Sequence, residues 1–135
     1  MNTRCELRPL LGFSDHRGLL VVGEAGAQLP FTPARLFVIT QAPADAIRGQ
    51  HAHRRCHQVV IALSGSCRAV LNDGAGRDEL TLDSALEGLY VPPLLWLELS
   101  AFAPGTVVLV LASEPYDADD YIRSLPEFLQ IVSSR

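Results

Sequence analysis

Short apolar runs separated by turn residues are the feature that most restricts how this chain can fold. Each run has the length of one strand and is rich in Val, Leu, Ile and Thr, which favour strands. Gly, Pro, Asn, Asp or Ser closes each of them. Many short strands in succession are typical of a sandwich or barrel, so the sequence predicts an all-β fold. The runs are LLVVGE, ARLFVIT, HQVVIALSG, SCRAVLNDG, DELTLDS, GLYVPP, LWLELSAF and GTVVLVLAS.

Turn residues predict how some of these strands connect. The Asn-Asp-Gly sequence at 72–74 stands between two alternating runs, which indicates a hairpin that pairs Val70 and Leu71 with Leu80–Leu82. Pro92 and Pro93 interrupt a later run, and because proline cannot donate to a central ladder, we expect a bend or a sheet edge there.

The C-terminal part, from about Asp117 onward, has helical character in two pieces, DADDYIRSL and PEFLQIVSS. Asp117 or Asp119 could cap the first piece, and Pro126 suits the first turn of the second. The acidic residues of this segment are therefore interpreted as helix-capping groups.

Length and composition indicate one ordinary globular domain spanning residues 1–135, with 48% hydrophobic and 19% charged residues. The net charge of −4 and the scattered basic residues argue against sequence-independent nucleic-acid binding. The cysteines Cys5, Cys56 and Cys67 are odd in number and lack CxxC spacing, which argues against a disulfide framework. With no signal-like start and no apolar stretch of membrane-spanning length, we expect a cytoplasmic protein that does not bind membranes.

The segment RGQHAH carries the most informative chemistry. On a strand, residues two apart face the same side, so His51 and His53 point together, and into the barrel if that face is the lined one. Such a pair suits either metal ligation or proton transfer near neutral pH.

The metal interpretation is the less favoured one. Metal-binding cupins follow HxH with a Glu and place another His on a later strand. Here His57 stands where that Glu would fall, and Leu97 where the fourth ligand is expected. Three histidine nitrogens could still hold zinc or iron, so a metal-dependent cupin enzyme stays an alternative.

Three long segments carry a more specific resemblance: RGQHAHRRCHQVVIALSGSCRAVLNDG, LDSALEGLYVPPLLW and VLVLASEPYDADDYIR. Together with SDHRGLLVVGE and LPFTPARLF they resemble the nucleotide-sugar 3,4-ketoisomerases, the WxcM-like family of the cupin superfamily. The resemblance implies a cupin jelly-roll barrel with a short C-terminal helical segment and no cofactor. It also implies a homodimer with exchanged N-terminal strands.

The implied reaction moves the keto group of dTDP-4-keto-6-deoxyglucose from C4 to C3 through an enediolate, for deoxyaminosugar biosynthesis. In this interpretation His51 is the base at C3, and His53 orients the sugar or moves a proton. Arg17, Arg35 and Arg48 are the candidate substrate-binding cations, since guanidinium groups suit the two phosphates of a sugar nucleotide. Further candidates to stack on the substrate are the aromatic residues Tyr90, Trp96 and Tyr121, although strand aromatics commonly fill cores.

Two positions depart from the family pattern. Val38 stands where relatives often have a tyrosine, and its lost hydroxyl leaves open a non-catalytic protein that only binds dTDP-sugars. Leu97 follows Trp96 where many relatives have a polar residue. If Leu97 lines the pocket, a drier site should lower the pKa of a buried histidine.

Overall fold

The chain forms a two-sheet barrel with a short C-terminal helix. The computed structural model describes residues 3–134, so the ends of the predicted domain, residues 1–2 and 135, lie outside it. The elements are β1 (Glu6–Pro9), β2 (Leu11–Asp15), β3 (Gly18–Val22), β4 (Arg35–Thr40), β5 (Arg48–His53), β6 (Gln58–Ser64), β7 (Cys67–Asn72), β8 (Arg77–Leu82), β9 (Glu87–Val91), β10 (Trp96–Ser100), β11 (Val107–Ala112), β12 (Tyr121–Ile122) and α1 (Leu125–Ser133).

The strands form two five-stranded antiparallel sheets and one separate hairpin. The first sheet has the order β1-β9-β6-β11-β4, and the second has the order β12-β5-β10-β7-β8. Strands β2 and β3 pair only with each other in the described chain. The predicted all-β fold is confirmed.

Alternation along the strands separates an inner from an outer face. On β6, Val60 and Ala62 belong to the core between the two sheets, whereas Val59 and Ile61 belong to a second apolar cluster on the outer face. The second sheet alternates in the same way, because Leu97 of β10 lies in the core and the preceding Trp96 lies outside it. This alternation fixes which side chains can reach the barrel interior.

The sequence predicts a bend or a sheet edge at the two prolines, and the structure shows that the chain passes from one sheet to the other there. Strand β9 of the first sheet ends at Val91, and β10 of the second sheet begins at Trp96. Pro92 and Pro93 lie between them, where no ladder hydrogen bond is needed.

The hairpin at 72–74 exists, but its predicted register is wrong. Val70 pairs with Glu79 and Leu71 with Asp78, while Leu80 lies opposite Ala69. The connection is longer than a tight two-residue turn because it spans residues 73–76. The N–H groups of residues 74–76 donate to side-chain oxygens of Asn72 and Asp73, and the N–H of Asp73 donates to the carbonyl of Gly76.

Only the second C-terminal helical piece is confirmed, as α1, with Ser124 as its N-cap and Pro126 in its first turn. The first piece is a single 3₁₀ turn, Ala118–Asp120, capped by Asp117. It ends because Tyr121–Ile122 pairs with β5 instead, which buries Ile122. No helix in residues 3–134 is long and apolar enough to cross a membrane.

Candidate active site

A bulge in β5 presents His51 to the barrel interior. Leu97 lies opposite His51 and Glu98 opposite Gly49, so Gln50 is an extra residue between them. Gly49 has a φ of 84°, and a Cβ there would lie 2.8 Å from the Leu97 carbonyl oxygen. Gln50 also has a positive φ, 55°. Two successive left-handed residues are uncommon, and here they turn the Gly49 carbonyl back toward the His51 ring.

His53 is held by a buried carboxylate. Its Nδ1 lies 2.8 Å from Oδ2 of Asp120, and both side chains are at most 5% exposed. The other oxygen of Asp120 accepts the backbone N–H of Arg55 at 2.7 Å. Since Asp120 is fixed at both oxygens, it orients the His53 ring.

These hydrogen bonds determine the protonation state of both imidazoles. The Gly49 carbonyl oxygen, 2.9 Å from Nδ1 of His51, can only accept, so that nitrogen carries the proton. Asp120 fixes the same tautomer in His53. When both rings are neutral, each Nε2 therefore bears a lone pair, as a proton acceptor needs.

Burial keeps both rings neutral. It lowers the pKa of His51 to about 4, with further lowering by the neighbouring His53 and by the charges of Arg123 and Arg35. Burial also lowers the pKa of His53, although the hydrogen bond to Asp120 opposes that shift. For Asp120, burial acts to raise the pKa, but the hydrogen bonds from His53 and Arg55 outweigh it and leave the pKa below its usual value. Near neutral pH the site thus holds two neutral imidazoles and one carboxylate.

A cavity of about 540 Å³ opens beside His51. Three guanidinium groups line it, from Arg35, Arg48 and Arg123, and none forms an ion pair with a carboxylate in the described part of the chain. Cations without partners in one cavity suit an anionic ligand. The remaining lining residues are Phe37, Ile47, Gly49, Tyr116 and Tyr121.

Aromatic rings hold two of these arginines. The guanidinium carbon of Arg35 lies 5.6 Å from the Phe37 ring centre and 5.7 Å from that of Tyr116. Arg123 lies 4.3 Å from the ring centre of Tyr121. Tyr121 also contacts the catalytic candidates, because its ring centre is 5.0 Å from that of His51. Cation–π contacts of this kind orient the arginines while leaving their N–H groups available.

The structure brings five of the eight candidate site residues together, namely His51, His53, Arg35, Arg48 and Tyr121. Arg17 lies at the tip of the β2–β3 hairpin, where it is 79% exposed and pairs with Asp15 at 2.7 Å. Tyr90 lies on the outer face of the first sheet, and Trp96 packs against Phe128 of α1. Within one chain, these three residues do not line the cavity.

His57 does not join the histidine pair, so the three-nitrogen metal set of the alternative interpretation does not form. It lies on the outer side, with its ring stacked on Tyr90 and its Nδ1 2.7 Å from the Tyr90 hydroxyl. A different group, His53, Cys56 and Asp120, places one ligand atom from each residue within 4.8 Å of the others. A metal ion there would have to replace the hydrogen bonds that Asp120 already accepts.

The structure shows where the two residues that depart from the family pattern lie. Val38 is 50% exposed and faces away from the histidines, while Phe37 presents its ring to the cavity. Leu97 is 4% exposed and belongs to the core between the sheets, opposite His51 in the register. An apolar core at that point accords with the lowered pKa of His51.

Asp120 and Arg123 belong to the site but are missing from the predicted set, whereas Tyr121 is a predicted candidate for stacking on the substrate. The segment YDADDYIR contains all three, and its acidic residues by themselves favour the start of a helix. Local sequence signals do not place them in the site, because the pairing of Tyr121–Ile122 with β5 is what brings the segment beside the histidines.

Two facing antiparallel sheets with a histidine pair at the mouth of the space between them define a cupin barrel. The family model described as FdtA: WxcM-like, C-terminal matches residues 3–133. Over 119 residues the chain is 42% identical to the TDP-4-oxo-6-deoxy-alpha-D-glucose-3,4-oxoisomerase of Aneurinibacillus thermoaerophilus, covering 88% of this chain and 86% of that one.

Solved structures give the same result. The 3,4-ketoisomerase QdtA from Thermoanaerobacterium thermosaccharolyticum, in complex with TDP, matches with a TM-score of 0.96 and 35% identity over 99% of this chain and 98% of that one. A mutant of QdtA in complex with TDP-4-keto-6-deoxyglucose matches equally well, at a TM-score of 0.96 and 35% identity over 100% and 98% of the two chains. The chain belongs to the FdtA, WxcM-like family of cupin sugar-nucleotide 3,4-ketoisomerases.

Proposed function

We propose that the protein is an isomerase that moves the keto group of TDP-4-keto-6-deoxyglucose from C4 to C3. The observation that carries the proposal is the pair of neutral histidines, each with a free Nε2 lone pair, beside a cavity whose three arginines have no acidic partner among residues 3–134. One part of this arrangement suits proton transfer, and the other suits the diphosphate of a sugar nucleotide. The product would supply a 3-keto sugar to an aminotransferase in deoxyaminosugar biosynthesis.

In the proposed mechanism, His51 removes the proton from C3. The electron pair of that C–H bond forms the C3–C4 double bond, and the π pair of the C4 carbonyl moves to its oxygen, which gives the enediolate. The proton on His51 is then returned to C4, directly or after exchange with water. The C3 hydroxyl gives its proton to Nε2 of His53 as the C3 carbonyl forms, and His53 passes that proton to the C4 oxygen, which becomes the hydroxyl of the product, so both imidazoles end neutral. Protons move but no external oxidant or reductant is needed, and the hydrogen bond to Asp120 stabilises the His53 imidazolium that forms.

The decisive experiment follows the C3 proton by NMR. The chelator-treated protein is incubated with TDP-4-keto-6-deoxyglucose in D₂O, and we expect loss of the C3 proton signal and appearance of a 3-keto product. Binding of TDP by calorimetry without any exchange would instead support the non-catalytic sugar-nucleotide binding protein. Activity that disappears on chelation and returns with one metal per chain would support the metal-dependent alternative.

The low pKa of His51 predicts an unusual pH dependence. A base must be neutral to accept a proton, so an ordinary histidine with a pKa of about 6.5 would lose about tenfold in kcat/KM by pH 5.5. Because the pKa of His51 is lowered to about 4, its neutral form persists at that pH. We expect kcat/KM to stay within about twofold between pH 8 and 5.5, measured on protein whose circular dichroism is unchanged over the range. A tenfold decline centred near pH 6.5 would contradict the lowered pKa of the two histidines that must accept protons, His51 and His53.

We also propose a homodimer with exchanged N-terminal strands. The β2–β3 hairpin exposes apolar side chains, Phe13 at 58% and Leu20 at 62%. The outer face of the first sheet offers a matching apolar surface, where a cavity of about 200 Å³ lies between Leu10, Leu29 and Leu109, among other residues. Pairing between chains commonly covers such faces. Since Arg17 does not line its own cavity, it would contact substrate only in the partner's site.

Light scattering tests the dimer. The protein should have twice the 14.7 kDa mass of one chain, and the double variant Phe13→Glu/Leu20→Glu should elute as a monomer because each carboxylate would be buried without a partner. Leu129→Glu on α1, which packs on the second sheet, should leave the mass unchanged. A monomeric wild type would contradict the proposal.

A cytoplasmic location completes the proposal. Cys56 and Cys67 are buried free thiols, as expected of a protein in a reducing compartment.

A further inference from the structure

Gln58, the first residue of β6, is a buried polar side chain whose amide nitrogen is unsatisfied in the described part of the chain. It is 2% exposed, and its amide Nε2 has no hydrogen-bond partner among residues 3–134. Buried amides are nearly always hydrogen-bonded, because an unsatisfied donor loses its water without compensation. An uncompensated amide in the interior therefore points to a group that binds there.

The topology places Gln58 at the histidine end of the barrel. Val59 faces outward and Val60 inward, so by alternation Gln58 projects between the sheets. Strand β5 ends at His53 and β6 begins at Gln58, with four residues between them, so both side chains enter the interior at the same end.

The register agrees with this placement. Ala112 of β11 pairs with Gln58 on one side and with Arg35 on the other. Gln58 and Arg35 are thus two strands apart, about 10 Å between their backbones, on one inner face. Since Arg35 lines the cavity, Gln58 lies at the level of that cavity.

His53 carries the complementary unsatisfied atom. Its Nε2 is also buried without a partner in the described chain, and the bond from Nδ1 to Asp120 makes Nε2 an acceptor. The Gln58 Nε2 is a donor. A hydroxyl group satisfies both at once, because its oxygen accepts from the amide and its proton is donated to the imidazole.

We propose that Gln58 is a catalytic residue whose amide N–H donates to the C3 hydroxyl oxygen of the substrate and holds that hydroxyl for proton transfer to His53. The inference rests on the proposed function and deepens it. As the hydroxyl proton moves to Nε2 of His53, negative charge grows on the C3 oxygen until the carbonyl forms. A donor fixed at that oxygen binds the transition state more tightly than the ground state.

The test uses Gln58→Met, which keeps the length of the side chain and removes its hydrogen bonds. We expect kcat to fall by about 10²-fold, the effect of removing one donor from a developing oxyanion. KM and the dissociation constant of TDP should stay within about threefold, since the arginines are untouched. Gln130→Met, at an exposed position of α1, is the matched control and should match the wild type.

A second variant separates catalysis from folding. Gln58→Glu has nearly the same shape but donates only when protonated, so its kcat relative to the wild type should rise as the pH falls from 8 to 5.5. Because a buried carboxylate also destabilises the fold when it is ionised, kcat is measured only where circular dichroism shows that the variant is folded at both pH values. Among folded protein, a structural role would give no such dependence. This variant decides the question if Gln58→Met does not fold.

The proposal is overturned if folded Gln58→Met retains kcat within about threefold of the wild type, if only KM and TDP binding change, or if the Gln58→Glu ratio is independent of pH. The wild type is measured in parallel. Absence of C3-proton exchange in the wild type would overturn the proposed function itself, whereas wild-type exchange with an active Gln58→Met would overturn only the role of Gln58.

Discussion

Replacing His51 with Asn should nearly abolish isomerisation and leave nucleotide binding intact. The imidazole Nε2 is the base at C3, and an amide cannot accept that proton, so we expect exchange of the C3 proton to slow by about 10²- to 10⁴-fold. Asparagine fits the space and can still donate to the Gly49 carbonyl that holds His51 Nδ1. The dissociation constant of TDP, measured by calorimetry, should change by less than about threefold, because the arginines that line the cavity remain.

The matched control is His16→Asn, which makes the same replacement at an exposed position in the β2–β3 turn. It should retain wild-type exchange. If the His51 variant exchanged the C3 proton at the rate of the control, another group would have to be the base. If instead it lost TDP binding and exchange together, His51 would be a structural residue.

Alternation explains which parts of the site could be predicted from the sequence. The spacing of His51 and His53 places both on one face of a strand, and the structure places Ala52 between them in the opposite, outer cluster. The prolines at 92 and 93 likewise act locally, through a missing N–H, so the interruption of the strand there could be predicted, although the change of sheet could not. Features that depend on one strand and its period are visible in the sequence.

Features that depend on pairing between segments far apart in the chain are not visible in the sequence. Asp120 and His53 are 67 residues apart, and only the short ladder between β5 and β12 brings them together. Considered alone, Asp120 belongs to an acidic segment that could equally cap a helix. Tertiary pairing overrides this local preference, because it buries Ile122 completely.

The face of the sheet on which a side chain lies explains why the other candidate residues do not line the cavity. Val38 follows Phe37 on β4, and only one of two neighbours can face the cavity, so the missing tyrosine hydroxyl at Val38 falls outside it. Tyr90 lies on the outer face for the same reason. Trp96 also lies on the outer side, and its neighbour Leu97 is the residue that faces the core.

Asp120→Asn should cost nearly as much activity as loss of the base, although no atom of Asp120 lines the cavity. Asparagine can still accept the Arg55 N–H through its oxygen, so the fold should persist. Its NH₂ group would then face His53 Nδ1 and donate to it. That reverses the tautomer and moves the proton to Nε2, which can no longer accept the hydroxyl proton of the substrate.

We expect kcat of Asp120→Asn to fall by about 10²-fold or more, with KM and TDP binding nearly unchanged, because only the proton acceptor is altered. Nitrogen-15 NMR should show the His53 proton on Nδ1 in the wild type and on Nε2 in the variant, a readout that a merely structural role would not change. Asp119→Asn, at the exposed neighbouring carboxylate, should keep full activity and the wild-type tautomer. A variant at Asp120 that shows the reversed tautomer and still isomerises the substrate at the wild-type rate would remove His53 from the proton pathway, while His51 could still act as the base.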